Sequence, residues 1–180
     1  MKTIKKYSNS ILKTDLLLKN INKNVLEAPI LSKIVISSGV KDANSNSNKI
    51  LVPLLILNLI TGQNPFYTKA KKSIANFKLR KGKIIGCKVT LRKNNMNKFF
   101  EKFVHVILPQ LSELKDLKYK NSKGKNSITI GIEDCSVFPE LENQFELINK
   151  IYGVNISIFL KNRNLNKDNL FFSGLKIPFK

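Results

Sequence analysis

The chain has 180 residues and 42% apolar content, enough for one domain with a buried core, so a disordered tail is excluded. Against that ordinary interior stand 32 Lys+Arg and only 12 Asp+Glu, a formal net charge of +20. Self-repulsion on this scale raises the free energy of the compact state unless a polyanion neutralises it, which disfavours a typical cytosolic enzyme and makes nucleic acid the leading partner class.

Residues 2–19 carry Ile4, Ile11, Leu12 and Leu16 at spacings that predict a peripheral helix, ended by the Asn/Lys-rich stretch 20–24. The β-branched run 33–40, closed by Gly39, predicts a strand. Beyond a polar turn at 41–48, residues 50–60 predict a buried helix with Ser47 or Asn48 as its cap, Pro53 in its first turns and Gly62 as its stop. Residues 68–83 are dense in charge without a consistent period and predict a long basic loop, followed by a strand over 84–92. Met96, Phe99, Phe100, Phe103, Val104 and Ile107 fall on one face of a helix over 95–108 that ends near Pro109. A further helical piece reaches 117, and 118–126 reads as a second basic loop. Residues 127–132 and 154–160 alternate as strands do, with a turn at Phe138 and Pro139 and short helices over 144–152 and 168–174. Without a βαβα rhythm these elements predict an α+β fold: a single domain over 1–180 whose mainly antiparallel sheet is flanked by helices, with the basic loop at about 69–83.

The materials of catalysis are scarce. His105 is the only histidine and no nucleophile can be attached to it; Cys87 and Cys135 form no CxxC pair; the Glu133–Asp134 and Glu140, Glu142, Glu146 groups lack cation-loop spacing. The expectation is no enzyme, no metal and no cofactor. The apolar run 50–60 contains a Pro and an Asn and is too short to span a bilayer, so no membrane role is expected. The basic N-terminus shows no small-residue cleavage signature, so no presequence is expected.

The basic charge has a pattern. From Ala43 to Phe100 there is no acidic residue, so the lysines of the 68–83 segment have no acid near them in sequence; Ile74 and Phe77 stand among them, able to rest on sugars or bases. That combination fits a backbone-tracking RNA contact that orders on binding, whereas a solvated charge run is the plainer reading. Arg80, Arg92 and Arg163 are the only arginines, and Asn, Ile and Phe are abundant, as A/T-rich codons favour in organelle genomes and A/T-rich bacteria. Lys neutralises phosphate as a hydrated point charge and lacks the planar fork of Arg, so most of this surface attracts without selecting.

Several segments in one order resemble the L5 family of large-subunit ribosomal proteins, which bind 5S rRNA. They are Lys33-Ile-Val-Ile with Gly39-Val40, Thr61-Gly-Gln-Asn-Pro65, Thr68-Lys-Ala-Lys-Lys-Ser-Ile-Ala-Asn-Phe-Lys-Leu-Arg80, Ile85-Gly-Cys-Lys-Val-Thr-Leu-Arg92, Phe99-Phe-Glu101, Pro109, Gly131, Phe138-Pro-Glu140 and Ile177-Pro-Phe-Lys180. The resemblance runs nearly end to end. It implies a structural constituent of the central protuberance, without catalysis, that supports translation. Its partners would be 5S rRNA where the ribosome retains one, large-subunit rRNA, P-site tRNA, neighbouring central-protuberance proteins, and the small-subunit head protein S13 across an intersubunit bridge.

By the same resemblance Ser37, Gln63, Lys88, Thr90 and Arg92 are the rRNA-binding candidates. Lys69, Lys71, Lys72, Phe77, Lys78, Arg80, Lys81 and Lys83 form the loop toward tRNA. Four departures stand out: Ser37 replaces an Asn and loses its bidentate amide, Asn76 replaces a Gly at the loop turn, Ile84 replaces a Pro, and Gln110 and Ser112 replace basic residues near the bridge. The resemblance and codon bias together imply a mitochondrial ribosome, with a plastid or A/T-rich bacterium as alternatives. Charge alone also allows a sequence-tolerant DNA-binding protein or RNA chaperone, and an RNA-modifying enzyme would need a cofactor loop that the sequence does not display.

Overall fold

The computed structural model describes residues 7–18, 24–40, 47–111, 127–147, 152–161, 171 and 173–175. The helical piece to 117, the basic loop 118–126 and the first residues of the 2–19 helix lie outside that set. Five strands, β1 (Ile30–Gly39), β2 (Phe66–Lys69), β3 (Ile84–Leu91), β4 (Ser127–Ile132) and β5 (Val154–Lys161), form one open antiparallel sheet in the order β2-β3-β1-β5-β4. Three helices, α1 (Lys13–Leu18), α2 (Leu51–Thr61) and α3 (Lys93–Lys102), complete the α+β fold. Backbone proximity divides the chain into two compact units, residues 35–91 with 129–157 and residues 1–34 with 92–128 and 158–180.

In the first of these units the strands alternate, with one break where Gly86 and Cys87 are both buried. Ile36 and Ser38 of β1, Cys87, Val89 and Leu91 of β3, Ile130 and Ile132 of β4, and Val154 and Ile156 of β5 are buried, so every second residue is committed to one inner face. α2 packs against β3 and against the 3-10 segment Pro139–Leu147. Its stop is the expected one: Gly62 adopts a left-handed φ of 63°, and its N–H donates to the Asn58 carbonyl at 2.7 Å. Its start differs from expectation. Residues Ser47–Ile50 form a preceding 3-10 turn, and Ile50 takes the cap position without a side-chain bond, so neither Ser47 nor Asn48 caps the helix. Ser38 is the polar exception of the inner face, and its hydroxyl donates to the Gly153 carbonyl at 2.8 Å.

Both thiols of this unit are buried and reduced. Burial pushes Cys87 from 9.0 to about 11. Burial, followed by the neighbouring Asp134 carboxylate, pushes Cys135 to about 12, and its thiol donates to the Tyr152 carbonyl at 2.7 Å. The folded state therefore keeps protons that the unfolded chain gives up. The thiol contribution to stability is complete below about pH 9 and is lost as pH rises through the folded values. Iodoacetamide at pH 8 should leave both cysteines unmodified in the native protein and label both in urea; labelling at equal rates in the two states would contradict this burial.

In the other unit the apolar face read from residues 95–108 is fully realised, with Met96, Phe99, Phe100, Phe103, Val104 and Ile107 all buried. The helix does not stop at Lys102. It widens into a π turn over Phe103–Ile107, where the Leu108 N–H reaches the Phe103 carbonyl, and closes with the turn Leu108–Gln110. Pro109 explains the widening: in a regular α-helix its ring would press on the carbonyl four residues back. Leu12 and Leu16 are buried as expected, and Ile11 remains exposed. An ideal Cβ on Gly174 would run into Leu12 Cδ2, so Gly174 lies directly against Leu12. Of the short helices expected over 144–152 and 168–174, the first is 3-10 in character through Leu147, broken by non-helical angles at Gln144.

Candidate nucleic-acid interface

Since alternate residues of each strand are buried, the remaining ones define an outer face. In the unit of residues 35–91 and 129–157 it consists of Val35, Ser37 and Gly39 on β1, Phe66 and Thr68 on β2, Lys88 and Thr90 on β3, Thr129 and Gly131 on β4, and Asn155 and Ser157 on β5, with Gly86, itself buried, at the corresponding register position of β3. The strand register agrees with this assignment. Phe66 lies opposite Lys88 and Thr68 opposite Gly86, and the Thr129 and Ser157 hydroxyls are 2.9 Å apart. This face holds hydroxyls, one amide, glycines and one ammonium, and no carboxylate. Hydroxyl and amide groups donate and accept equally, which suits sugar and phosphate oxygens as well as base edges.

The segment between β2 and β3 is not an unstructured loop. The pairing shifts between Thr68 and Lys69, which leaves Ile85 as an extra residue in β3, a bulge that bends the paired chain. Beyond it the two limbs remain bonded. The Ala70 N–H donates to the Lys83 carbonyl at 2.8 Å, and the Gly82 N–H donates back to the Ala70 carbonyl at 2.9 Å. The Lys81 N–H donates to the Ser73 hydroxyl at 2.9 Å, and Ile74 and Leu79 exchange both main-chain bonds, at 2.9 and 3.1 Å. The tip is a 3-10 turn, Ala75–Phe77, closed by the Lys78 N–H on the Ala75 carbonyl. Residues 69–83 thus form a hydrogen-bonded hairpin arm rather than an unpaired loop.

Among side chains, the Ser73 hydroxyl adds the bond that it accepts from the Lys81 N–H. Ala70 is its one buried residue; Lys69, Lys71, Lys72, Lys78, Arg80 and Lys81 are exposed, Lys83 is half-buried, and Phe77 at the tip is 70% exposed. The left-handed residue at the turn is Lys78, with φ 50° and ψ 34°, not Asn76, which lies inside the 3-10 turn. Asn in place of Gly at 76 therefore costs the backbone nothing there.

Of the five rRNA candidates, three come together: Ser37, Lys88 and Thr90 share the outer face of this unit. Gln63 lies in the connection after Gly62, half-buried, where its N–H and carbonyl both bond the Thr61 hydroxyl. Arg92 belongs to the other unit, exposed at the N-cap of α3. The residues that sequence reasoning missed are on β2. Four residues are too few for a period, yet an aromatic pair followed by Thr has strand propensity, which was the available signal.

Comparison with known proteins finds relatives that match nearly the whole chain. The family described as ribosomal protein L5 matches residues 24–80, and the one described as the C-terminus of the ribosomal L5 family matches residues 84–179. The chain is 41% identical over 178 residues to the large ribosomal subunit protein uL5m of Reclinomonas americana, covering 99% of this chain and 98% of that protein. It is 39% identical over 175 residues to uL5 of Malacoplasma penetrans, covering 97% and 91% of the two chains. With uL5 of Clostridium botulinum the identity is 45% over 134 residues, 74% of this chain and 73% of the relative.

Proposed function

Because the chain belongs to the ribosomal protein L5 family, we propose that its outer sheet face holds rRNA, 5S rRNA included, in the central protuberance while the 69–83 arm meets P-site tRNA. The coarser function is that of the family, a structural constituent of the large ribosomal subunit. One observation carries the finer reading: a face free of carboxylates continues, through Lys88 and the paired strands β2 and β3, into a hydrogen-bonded arm that exposes the cations Lys69, Lys71, Lys72, Lys78, Arg80 and Lys81 and no carboxylate. Permanent contact needs hydroxyls and amides that fit one RNA surface. A contact that is made and released at each tRNA passage is better served by hydrated lysines, which attract phosphate without a fixed fork geometry.

The likeness to the uL5m protein supports a mitochondrial ribosome as the setting, with the bacterial relatives fitting the alternative. By family resemblance the chain after Pro109 is the part assigned to an intersubunit bridge with S13. Ser37 contributes a hydroxyl to the rRNA face where an amide would offer two bonds at once. Changing Gln63 or Thr90 to Ala should each lower 5S rRNA affinity by about 1 kcal/mol in a titration at fixed salt.

The decisive test neutralises the arm. Lys71, Lys72, Lys78 and Lys81 changed together to Ala should leave circular dichroism and the unfolding midpoint unchanged, because main-chain bonds hold the arm. The slope of log affinity for tRNA against log salt should fall by about 0.9 for each phosphate no longer neutralised, roughly 3–4 if all four lysines meet phosphates. Loss of folding would overturn the arm assignment, and an unchanged slope would overturn its electrostatic role. Native protein should co-sediment with large ribosomal subunits, and binding duplex DNA as well as structured rRNA at matched salt would favour a sequence-tolerant DNA-binding protein instead.

A further inference from the structure

The outer face contains a side chain that neither a hydroxyl-lined RNA surface nor a sheet requires. Phe66, the first residue of edge strand β2, is 68% exposed. It stands directly opposite Lys88 in the β2–β3 register, so their side chains leave the sheet as immediate neighbours. Phe159, on β5 in the other unit, shows what an accommodated ring looks like: it is half-buried, and the Lys33 ammonium sits 4.6 Å over its centroid. Single exposed apolar residues are ordinary on any protein. This one is distinguished by its register partner, by its place at the open edge of the sheet, and by the stretch from Ala43 to Phe100 that contains no acid to repel a phosphate.

An aromatic plate beside an ammonium matches one nucleotide of single-stranded RNA. Each base offers a π face of similar size, and its phosphate lies within reach of a flexible lysine stem. A paired duplex keeps its bases stacked on one another and presents backbone and groove edges instead. We propose that Phe66 is a stacking platform for one unpaired base of the bound RNA, with Lys88 on the adjoining phosphate. This rests on the reading of the outer face as an RNA surface and adds to it that the RNA at this edge carries a bulged or looped-out nucleotide.

The chain has no tryptophan, so Phe66→Trp installs a single indole at the platform and keeps an aromatic plate. With this variant, a short oligoadenylate should quench the indole emission to saturation, and a fully paired RNA duplex with the same number of phosphates should not. Phe66→Leu keeps apolar bulk on an exposed strand position and removes the plate. It should weaken oligoadenylate binding by roughly 5- to 150-fold, leave duplex binding unchanged and keep the salt slope of the native protein, whereas Lys88→Ala should reduce that slope by about 1. Indole emission that oligoadenylate does not move, or Phe66→Leu binding oligoadenylate as tightly as the native chain, overturns the platform. If native protein co-sediments with large subunits in either of those cases, only the platform falls. If it does not co-sediment, the RNA-surface reading falls with it.

Discussion

Phe100→Ala should lower the free energy of unfolding by about 3–5 kcal/mol, which makes it one of the two most damaging single changes expected. Phe100 is fully buried on α3, and the same helix face continues through Phe103 and Ile107, both equally inaccessible. On the same face Phe99 and Phe103 stack with centroids 6.3 Å apart, which adds to the aromatic content of the core around this helix. Removing the ring forfeits its transfer free energy and leaves a cavity that a rigid helix closes only in part. For a chain of this length the loss corresponds to a melting temperature lower by roughly 6–20 °C. Val106→Ala is the control, since Val106 on the same helix is 37% exposed and should change stability far less. Urea unfolding of both variants decides the matter, and equal midpoints would refute the burial described for this face.

Gly86→Val should be comparably harmful for the opposite reason, too much volume. An ideal Cβ at Gly86 would lie 2.5 Å from the Ser38 carbonyl oxygen, 3.2 Å from Thr68 Oγ1 and 3.3 Å from Gly39 Cα. The closest of these is main chain of the adjacent strand, so relief requires β1 and β3 to separate, which strains the Val40 N–H bond to the Ile85 carbonyl. Ala at this position should cost roughly 1–3 kcal/mol, and the branched Val more. Gly131→Ala provides the contrast. Its new Cβ would meet only the Asn155 side-chain oxygen at 3.3 Å, which can swing aside, and the lost backbone entropy of glycine favours the variant. Urea midpoints together with hydrogen exchange at the Val40 amide would test this. A Gly86→Val protein as stable as Gly131→Ala, with the Val40 amide equally protected, would show that the two strands do not approach as described.

What could be read from the sequence follows from where side chains are buried. β1, β3, β4 and β5 and the face of α3 carry readable periods because one side of each element is excluded from water, and Ile34, Val89, Ile130 and Ile156 record it. β2 left no such record: its four residues are half-buried or exposed, and its pairing with β3 is a long-range fact. The same limit hid the outer face as a unit. Ser37, Lys88 and Thr90 were recognisable from family resemblance, but the neighbours Phe66 and Lys88 meet only through a register that no local pattern encodes. The arm escaped for a third reason. Most of its described bonds run between main-chain groups, so residues 69–83 show charge and no period, and the left-handed turn residue is a lysine where residue type alone favours Asn76. Ser47 and Asn48 had the right chemistry for a cap, but the chain enters α2 through a 3-10 turn that places Ile50 there.

An arm written in main-chain bonds is indifferent to its own vocabulary. Because Ala70, Ile74, Leu79 and Gly82 are tied through N–H and carbonyl groups that every non-proline residue possesses, lysine and arginine can exchange along residues 69–83 without disturbing the scaffold. A genome drifting toward A/T-rich codons can therefore rewrite the cations of the arm and preserve its backbone, so mutational pressure falls on the charge that the arm presents rather than on whether the protein folds.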